Sequence, residues 1–181
     1  MGDVAPWYHV RRFDNALRRI FYNPARMFGP YVKPGVTVLD IGCGAGFNCL
    51  GLARLVGETG RVVAVDVQQE LLDILMARAQ KAGLSERIRT HRCEGDDIGI
   101  REEFDFVNAF WMVHETPDTA RFFRQVALCL KPEARFFVAE PKFHTSRESF
   151  RAMIEAAQKE GLRVVDEPRV RFSRAVVFRR D

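Results

Sequence analysis

Short apolar runs alternate along the chain with longer runs in which apolar residues recur every three or four positions. The short runs are rich in β-branched residues, which is typical of buried strands, and the longer runs have the spacing of amphipathic helices. The short runs predict strands at residues 36–41, 62–66, 88–92, 104–110, 135–139, 163–166 and 175–179. The longer runs predict helices near residues 47–56, 69–82, 119–130 and 146–160, after a helical N-terminal arm.

The predicted helices carry sequence signals at their ends. Thr145, followed three residues later by Glu148, predicts a capping box that opens the last helix. Thr116, which stands before a proline, predicts the N-cap of the helix near residues 119–130. Gly83 and Gly161 stand where a left-handed residue commonly closes a helix. These signals support the boundaries that the hydrophobic pattern gives.

Repeated strand and helix units of this length predict an α/β fold, with a doubly wound and mostly parallel seven-stranded sheet. The last two apolar runs are too close together for a helical crossover, so they predict an antiparallel final strand. We expect a helical arm or lid at residues 1–34 and one domain at residues 35–181. Ligands of such folds bind at the carboxyl ends of the strands, which directs attention to the residues that follow each strand.

Composition narrows the class of protein. A chain of 181 residues with 47% hydrophobic residues can bury one core. It shows no secretory signal pattern and no long uncharged apolar stretch, so we expect a cytoplasmic protein without a membrane partner. The four cysteines lack the spacing of a zinc site, and we expect reduced thiols and no metal.

The net charge of +4 is unevenly distributed, because both ends of the chain are basic and the middle is acidic. Basic ends can attract an anionic substrate, an RNA or a membrane surface. They can equally be solvated arginines on a helix and an edge strand. The sequence leaves both interpretations open.

A glycine-rich loop follows the first predicted strand. Gly42, Gly44 and Gly46 have the spacing GxGxG, whereas the dinucleotide-binding pattern places its third glycine one residue later. Asp40 ends the strand two residues before the loop and would repel a pyrophosphate but attract a sulfonium or an ammonium. Such a pair is worth roughly 4 kcal/mol before desolvation at an effective dielectric near 20. The loop therefore favours a cationic ligand.

Acidic residues also follow the second and third predicted strands. Asp66 stands where a carboxylate can accept hydrogen bonds from both hydroxyls of a ribose. Asp96 and Asp97 stand where a carboxylate can accept from an adenine amino group, and Ile98 could contact the ring face. Each acid alone is more simply a turn residue. Their common position at strand ends favours a nucleoside site.

These segments together resemble the class I S-adenosylmethionine-dependent methyltransferases. The stretch VLDIGCGAGFNCLGLA is similar to their first motif, VVAVDVQQELL to the second, CEGDDIGI to the third, and FDFVNAFWMVHE and FFRQVALCLKPEARFFVAEP to the fourth and fifth strand regions. The resemblance covers about residues 34–180 and implies S-adenosylmethionine as cofactor, with S-adenosylhomocysteine as product. The cofactor-binding residues that we infer are Asp40, Gly42, Cys43, Gly44, Gly46, Phe47, Asp66, Val67, Gln68, Asp96, Asp97, Ile98, Phe110 and Trp111.

The sequence departs from the family in one turn. Members commonly have Lys-Pro-Gly-Gly after the helix that precedes the fifth strand, and this chain has Glu133 and Ala134 in place of the glycines. We expect the substitution to affect backbone strain more than chemistry.

Methyl transfer is an in-line displacement that needs alignment, exclusion of water and, for some acceptors, a base. The candidate bases are His114, Glu115 and His144, and the sequence does not decide among them. Because the chain lacks the Asp/Asn-Pro-Pro-aromatic and Pro-Cys motifs of nucleobase methylation, we expect a small-molecule acceptor. An RNA-modifying methyltransferase, a non-catalytic adenosylmethionine-binding protein and, least favoured, a nicotinamide oxidoreductase stay open as alternatives.

Overall fold

The structure is a computed structural model that describes residues 22–181. The strands are β1 Thr37–Ile41, β2 Arg61–Asp66, β3 Ile88–Arg92, β4 Phe104–Phe110, β5 Leu130–Pro141, β6 Leu162–Asp166 and β7 Ser173–Arg180. The α-helices within the described range are α1 Pro24–Phe28, α2 Phe47–Leu55, α3 Gln69–Lys81, α4 Thr119–Leu128 and α5 Arg147–Lys159. Short 3₁₀ turns at Ser85–Arg87 and Val113–Glu115 complete the order.

The strands form one seven-stranded sheet in the order β3-β2-β1-β4-β5-β7-β6. Strands β1 to β5 pair in parallel, and β7 lies antiparallel between β5 and β6. The predicted α/β fold with a mostly parallel sheet and an antiparallel final strand is therefore confirmed. The strand order reverses between β1 and β4, so the carboxyl ends of these strands border the crevice in which such folds bind ligands.

Each face of the sheet is covered by its own helices. Leu39 and Ile41 of β1 belong to the hydrophobic cluster that contains residues of α4 and α5. Val38, which points to the other face, belongs to the cluster that contains residues of α1, α2 and α3. This alternation with a period of two explains why a strand buried on both faces is apolar at nearly every position.

The segment of residues 22–34 contributes apolar side chains to the second of these clusters. Tyr22, Phe28 and Val32 are buried there, and the ring of Phe28 packs edge-on against Phe106 and Phe137. The part of the predicted arm before Tyr22 lies outside the described residues. The proposed division of the chain at residue 34 stays a prediction.

The main difference from the predicted elements lies between α4 and β5. Helix α4 ends at Leu128, and β5 begins at Leu130 instead of at residue 135, so the prediction that the helix continues to residue 130 is wrong. Leu130 already pairs with Phe104, and the ladder resumes at Arg135 after an irregular segment. Glu133 in that segment has a φ of 64°, which confirms the expected backbone strain of the turn that lacks glycine.

Two predicted N-caps are wrong, each by one or two residues. Ser146, not Thr145, caps α5 by accepting from the backbone N–H of Ser149. Asp118, not Thr116, caps α4 by accepting from the N–H of Arg121. In each case a neighbouring polar side chain has the extended backbone that an N-cap needs. The predicted left-handed closing glycines, residues 83 and 161, are confirmed by φ values of 66° and 79°.

Candidate active site

A cleft of about 450 Å³ opens at the carboxyl ends of β1, β2, β4 and β5. All the predicted site residues line it except Gly46. Those lining it are Asp40, Gly42, Cys43, Gly44, Phe47, Asp66, Val67, Gln68, Asp96, Asp97, Ile98, Phe110, Trp111, His114, Glu115 and His144. The fold thus brings together residues that are spread over more than half of the chain.

The glycine loop needs glycine for two physical reasons. Gly42 and Gly46 have φ values of 65° and 89°, in the left-handed region that other residues rarely adopt. A Cβ on Gly42 would lie 2.7 Å from the side chain of Met112, and one on Gly46 would lie 2.2 Å from that of Leu75. Gly46 is the N-cap of α2, so it shapes the cleft through the backbone without lining it.

Asp40 is held by a neighbour that the sequence analysis missed. Asn108 lies opposite Asp40 on the adjacent strand β4, and its Nδ2 donates to Oδ1 of Asp40 at 2.7 Å. Both residues are buried, with 1% of Asp40 and none of Asn108 exposed. The signal in the sequence was a polar residue inside the apolar strand FDFVNAF. The amide fixes the orientation of the carboxylate beside the glycine loop.

Asp66 connects the second strand to the glycine loop. Its Oδ2 accepts from the N–H of Gly44 at 2.9 Å, and its Oδ1 accepts from the N–H of Gln68 at 3.0 Å. Burial raises the pKa of Asp66, and the backbone N–H groups of Gln68, Gly44 and Val67 partly offset that rise. Because each carboxylate oxygen can accept a second hydrogen bond, Asp66 keeps acceptor capacity for a pair of hydroxyls.

The loop after β3 is anchored by helix α4. Asp96 accepts from the guanidinium of Arg121 at 2.7 Å, and Gln125 exchanges hydrogen bonds with the N–H of Ile98 and the carbonyl of Asp96. Asp97 accepts from the N–H of Gly99, which makes it a turn residue as well as a lining residue. Sequence analysis missed Arg121 and Gln125 because their partners are 25 or more positions away.

The cysteines of the cleft carry neutral thiols. Burial raises the pKa of Cys43 well above its ordinary value, and the charges of Asp40 and Asp66 raise it further. Burial likewise raises the pKa of Cys93 to about 12. A thiol must ionise to act as a nucleophile, so neither side chain is suited to covalent catalysis.

His114 is held by a buried carboxylate. Its Nδ1 is hydrogen-bonded to Oε2 of Glu140 at the end of β5, and Glu140 is 1% exposed. The other oxygen of Glu140 accepts from the N–H of Val113 at 2.9 Å, and Thr145 donates to Oε2 at 3.4 Å. Because Nδ1 donates to Glu140, the second ring nitrogen, Nε2, is left to accept a proton.

The electrostatic surroundings make this histidine more basic. The hydrogen bond that His114 donates to Glu140 raises the pKa of His114, burial opposes that rise, and the charges of Glu140 and Glu115 add to it. His144 stacks on His114 with ring centroids 5.7 Å apart, and Glu115 lies 4.0 Å from Nε2 of His114. Among the three candidate bases, His114 is held in place by a buried carboxylate, that of Glu140. Glu140 itself was missed, although a lone acid at the end of the apolar run FFVAEP was a visible signal.

An aromatic wall lies beside the histidines. Trp111 has a φ of 62° and donates through its indole N–H to Oγ of Ser173 at 2.9 Å. Its ring stacks on Phe110 and meets Phe143 edge-on at 5.7 Å. A tryptophan whose backbone lies in the left-handed region is strained, and such strain is concentrated at functional sites. This wall suits a planar apolar ligand body.

The donor and acceptor set of the cleft fits S-adenosylmethionine. Asp40 and Asp66 supply anionic acceptors at the glycine loop, and Ile98 lines the cleft as an apolar surface beyond them. Asn48, which also lines the cleft, has a buried Oδ1 for which residues 22–181 supply no hydrogen-bond partner. An acceptor of that kind suits an ammonium-bearing ligand, so the residues present fit the group.

Comparison with known proteins agrees with the geometry. Residues 32–169 match the family model of the methyltransferase domain. A ubiquinone biosynthesis O-methyltransferase of Bradyrhizobium diazoefficiens is 36% identical over 145 residues, which are 76% of this chain and 54% of that protein. A 2-phytyl-1,4-naphtoquinone methyltransferase of Synechococcus elongatus is 34% identical over 104 residues, which are 57% of this chain and 45% of that protein.

A solved structure shares almost the whole fold. The crystal structure of a SAM dependent methyltransferase from Aquifex aeolicus superposes with a TM-score of 0.87 at 24% identity, covering 97% of this chain and 98% of that one. The chain spans about half the length of the curated relatives described above. The match to the domain model nevertheless extends over most of its residues. The chain therefore belongs to the class I S-adenosylmethionine-dependent methyltransferases.

Proposed function

We propose that this protein transfers a methyl group from S-adenosylmethionine to a hydroxyl group of a small aromatic acceptor. The observation that carries the proposal is the pairing of His114, which lines the cleft, with the buried Glu140. One relative is named a ubiquinone biosynthesis O-methyltransferase, and another a 2-phytyl-1,4-naphtoquinone methyltransferase. These names support a small aromatic acceptor.

The cofactor half of the cleft has a simple division of roles. When bound, the cofactor supplies an electrophilic methyl group on a positively charged sulfur. The glycine loop and Asp40 hold its methionine portion, Asp66 accepts from the ribose hydroxyls, and the segment from Asp96 to Ile98 contacts the adenine. Asn48 accepts a hydrogen bond from the cofactor's ammonium group. These assignments rest on the positions of the side chains around the cleft.

The acceptor half removes a proton. The bound cofactor would supply the methyl group to the acceptor oxygen, and Nε2 of His114 would take the proton that the hydroxyl loses. Glu140 keeps the imidazole in the required tautomer and stabilises the imidazolium that forms. A carboxylate acceptor would need no such base, and a hydroxyl acceptor does. The dyad therefore favours hydroxyl chemistry.

The test measures S-adenosylhomocysteine formation with phenols, thiols, amines and carboxylic acids as acceptors. We expect turnover with phenols, and we expect His114→Gln to lower kcat at least about a hundredfold while leaving the cofactor Kd unchanged. The matched control is His91→Gln, because His91 lies on β3 and does not line the cleft. Full turnover in His114→Gln, or cofactor binding without transfer to any acceptor, would contradict the proposal.

The proposed location is the cytosol. The four cysteines carry free thiols, which supports a reducing compartment. The longest helices between residues 22 and 181 have 13 residues, too few to span a bilayer. Fractionation of the native host, with soluble and membrane markers, tests this location.

A further inference from the structure

A second depression lies next to the active-site cleft. It is a groove of about 670 Å³ between the segment after β5 and the segment that joins β6 to β7. Four cations and one acid line it, namely Lys142, Arg169, Arg171, Arg174 and Glu167. We call it the basic groove. The proposed methyl transfer gives it no role.

The cations of the basic groove differ from those that are neutralised by an ion pair. Some arginines elsewhere lie beside acids, as Arg124 does with Glu160 and Arg121 with Asp96. Within residues 22–181, neither Lys142 nor Arg169 forms an ion pair, and Arg174 donates to the carbonyl of Thr145 instead. Four cations gathered with one acid in a concave site create a positive potential, which attracts an anion.

The basic groove and the cleft share a wall. Lys142 lines the groove, and the next two residues, Phe143 and His144, line the cleft. Ser173 of the groove accepts from the indole of Trp111, which belongs to the aromatic wall. The N–H of Lys142 donates to the carbonyl of Phe172 at 2.9 Å, so a backbone hydrogen bond links the segment after β5 to the segment before β7. The basic groove and the cleft are therefore neighbours.

The surroundings of His114 are acidic. Glu115 lies 4.0 Å from Nε2 of His114, and Glu140 is paired with Nδ1. An anionic group would be repelled there and attracted towards the basic groove. This difference in charge favours an acceptor that places its hydroxyl at His114 and its anionic group at the basic groove.

We infer that the basic groove is a specificity subsite for an anionic substituent, a carboxylate or a phosphate, carried by the methyl acceptor. The inference rests on the proposed function, because it assumes that the acceptor's hydroxyl lies at His114. The acceptor is then an aromatic hydroxy acid or a phosphorylated phenol: its ring lies against Trp111 and Phe143, and its anion lies between Lys142 and Arg169.

The first experiment tests the groove without any methyl transfer. Inorganic phosphate is titrated into the full chain, at constant ionic strength set with chloride, while backbone amide chemical shifts are recorded. We expect shifts at residues 142–144 and 169–175, and their loss in Lys142→Gln/Arg169→Gln. The control, Arg61→Gln/Lys81→Gln, removes two exposed charges that do not line the groove. No localised shifts, or equal shifts in the groove variant, would overturn the inference.

The second experiment compares hydroxybenzoates with their methyl esters, which keep the hydroxyl and lose the charge. We expect the wild type to prefer the acids by about tenfold in kcat/KM, and the groove variant to lose that preference. Equal use of acid and ester by the wild type, or an unchanged preference for the acid in the groove variant, would overturn the subsite. If no acceptor is methylated, the proposed function fails, and the phosphate titration still decides on the groove.

Discussion

The cleft has a cofactor half, around the glycine loop and Asp66, and an acceptor half, around His114 and Glu140. The two halves rely on different parts of the protein. In the cofactor half, backbone geometry dominates: left-handed glycines shape the loop, and Asp66 accepts from the N–H groups of Gly44 and Gln68. In the acceptor half, side chains dominate, because His114 takes its tautomer and its raised pKa from Glu140. The cofactor half needs fixed charge and shape, whereas the acceptor half needs a group that gains and loses a proton.

This contrast predicts that changes in one half leave the other half working. A substitution at the acceptor end is expected to change kcat or its pH dependence and to leave cofactor affinity intact. A substitution at the glycine loop is expected to change cofactor affinity or folding. The four predictions below test that separation.

The largest expected effect comes from Glu140→Gln. The amide cannot stabilise the imidazolium, so we expect kcat to fall about fiftyfold, with a cofactor Kd close to that of the wild type. Glu140 raises the pKa of His114, so this pKa is expected to fall in the variant. The part of the pH profile in which kcat increases with pH is then expected to move to lower pH. Steady-state kinetics across pH, together with calorimetry of cofactor binding, measure both quantities.

The control for Glu140→Gln is Glu155→Gln on the exposed side of α5, which is expected to behave like the wild type. If Glu140→Gln lowers kcat but leaves the pH at which kcat rises unchanged, the substitution acts only by disturbing the structure. That outcome would remove Glu140 from its assigned positioning role.

The next prediction concerns the backbone of the cofactor half. Gly46→Ala combines a left-handed φ of 89° with a Cβ only 2.2 Å from Leu75, so we expect a loss of about 2 kcal/mol in the free energy of unfolding. Gly83→Ala is the matched control, because it has a similar φ of 66° with nothing within 4 Å of the added Cβ. The control is expected to lose only about 1 kcal/mol. Equal losses in urea denaturation would mean that the contact with Leu75 relaxes freely.

The third prediction concerns charge at the glycine loop. Asp40→Asn keeps the size of the side chain and removes the anion, so we expect the Kd for S-adenosylmethionine to rise at least about tenfold, equivalent to 1.4 kcal/mol. At saturating cofactor, kcat is expected to change little. Asp73→Asn, an exposed acid on α3, is the control. An unchanged Kd in a folded Asp40→Asn variant would contradict a charge-based cofactor site.

The two halves also differ in how far the sequence predicts them. The glycines and Asp40 are close together in the chain, so the sequence alone predicts a loop with a carboxylate beside it, and the charge of that carboxylate predicts a cationic ligand. His114 and Glu140 are 26 positions apart and meet only because β4 and β5 are parallel neighbours. The same holds for Asp40 and Asn108, which are 68 positions apart. Hydrophobic periodicity predicted the strands that create these encounters, but not which side chains meet.

Local competition explains the smaller errors. Thr145 has the right residue type for an N-cap, but its hydroxyl donates to Glu140 and the next residue, Ser146, takes the cap. Any of several polar residues near a helix start can cap it, and tertiary contacts decide among them. The sequence therefore locates these two helix starts to within one or two residues, and contacts with other parts of the fold decide which residue is the cap.

The smallest expected effect is a pH-dependent stability difference between the wild type and His114→Gln. Because Glu140 raises the pKa of His114 above the ordinary value of 6.5, protonated His114 stabilises the folded state. That stabilisation is fully present below pH 6.5 and is lost as pH rises through the raised pKa. We expect the difference in unfolding free energy to be less than about 1 kcal/mol and to shrink with rising pH. His91→Gln is expected to show no such trend in parallel urea titrations, and a difference that grew with pH would mean that His114 is buried as a neutral ring.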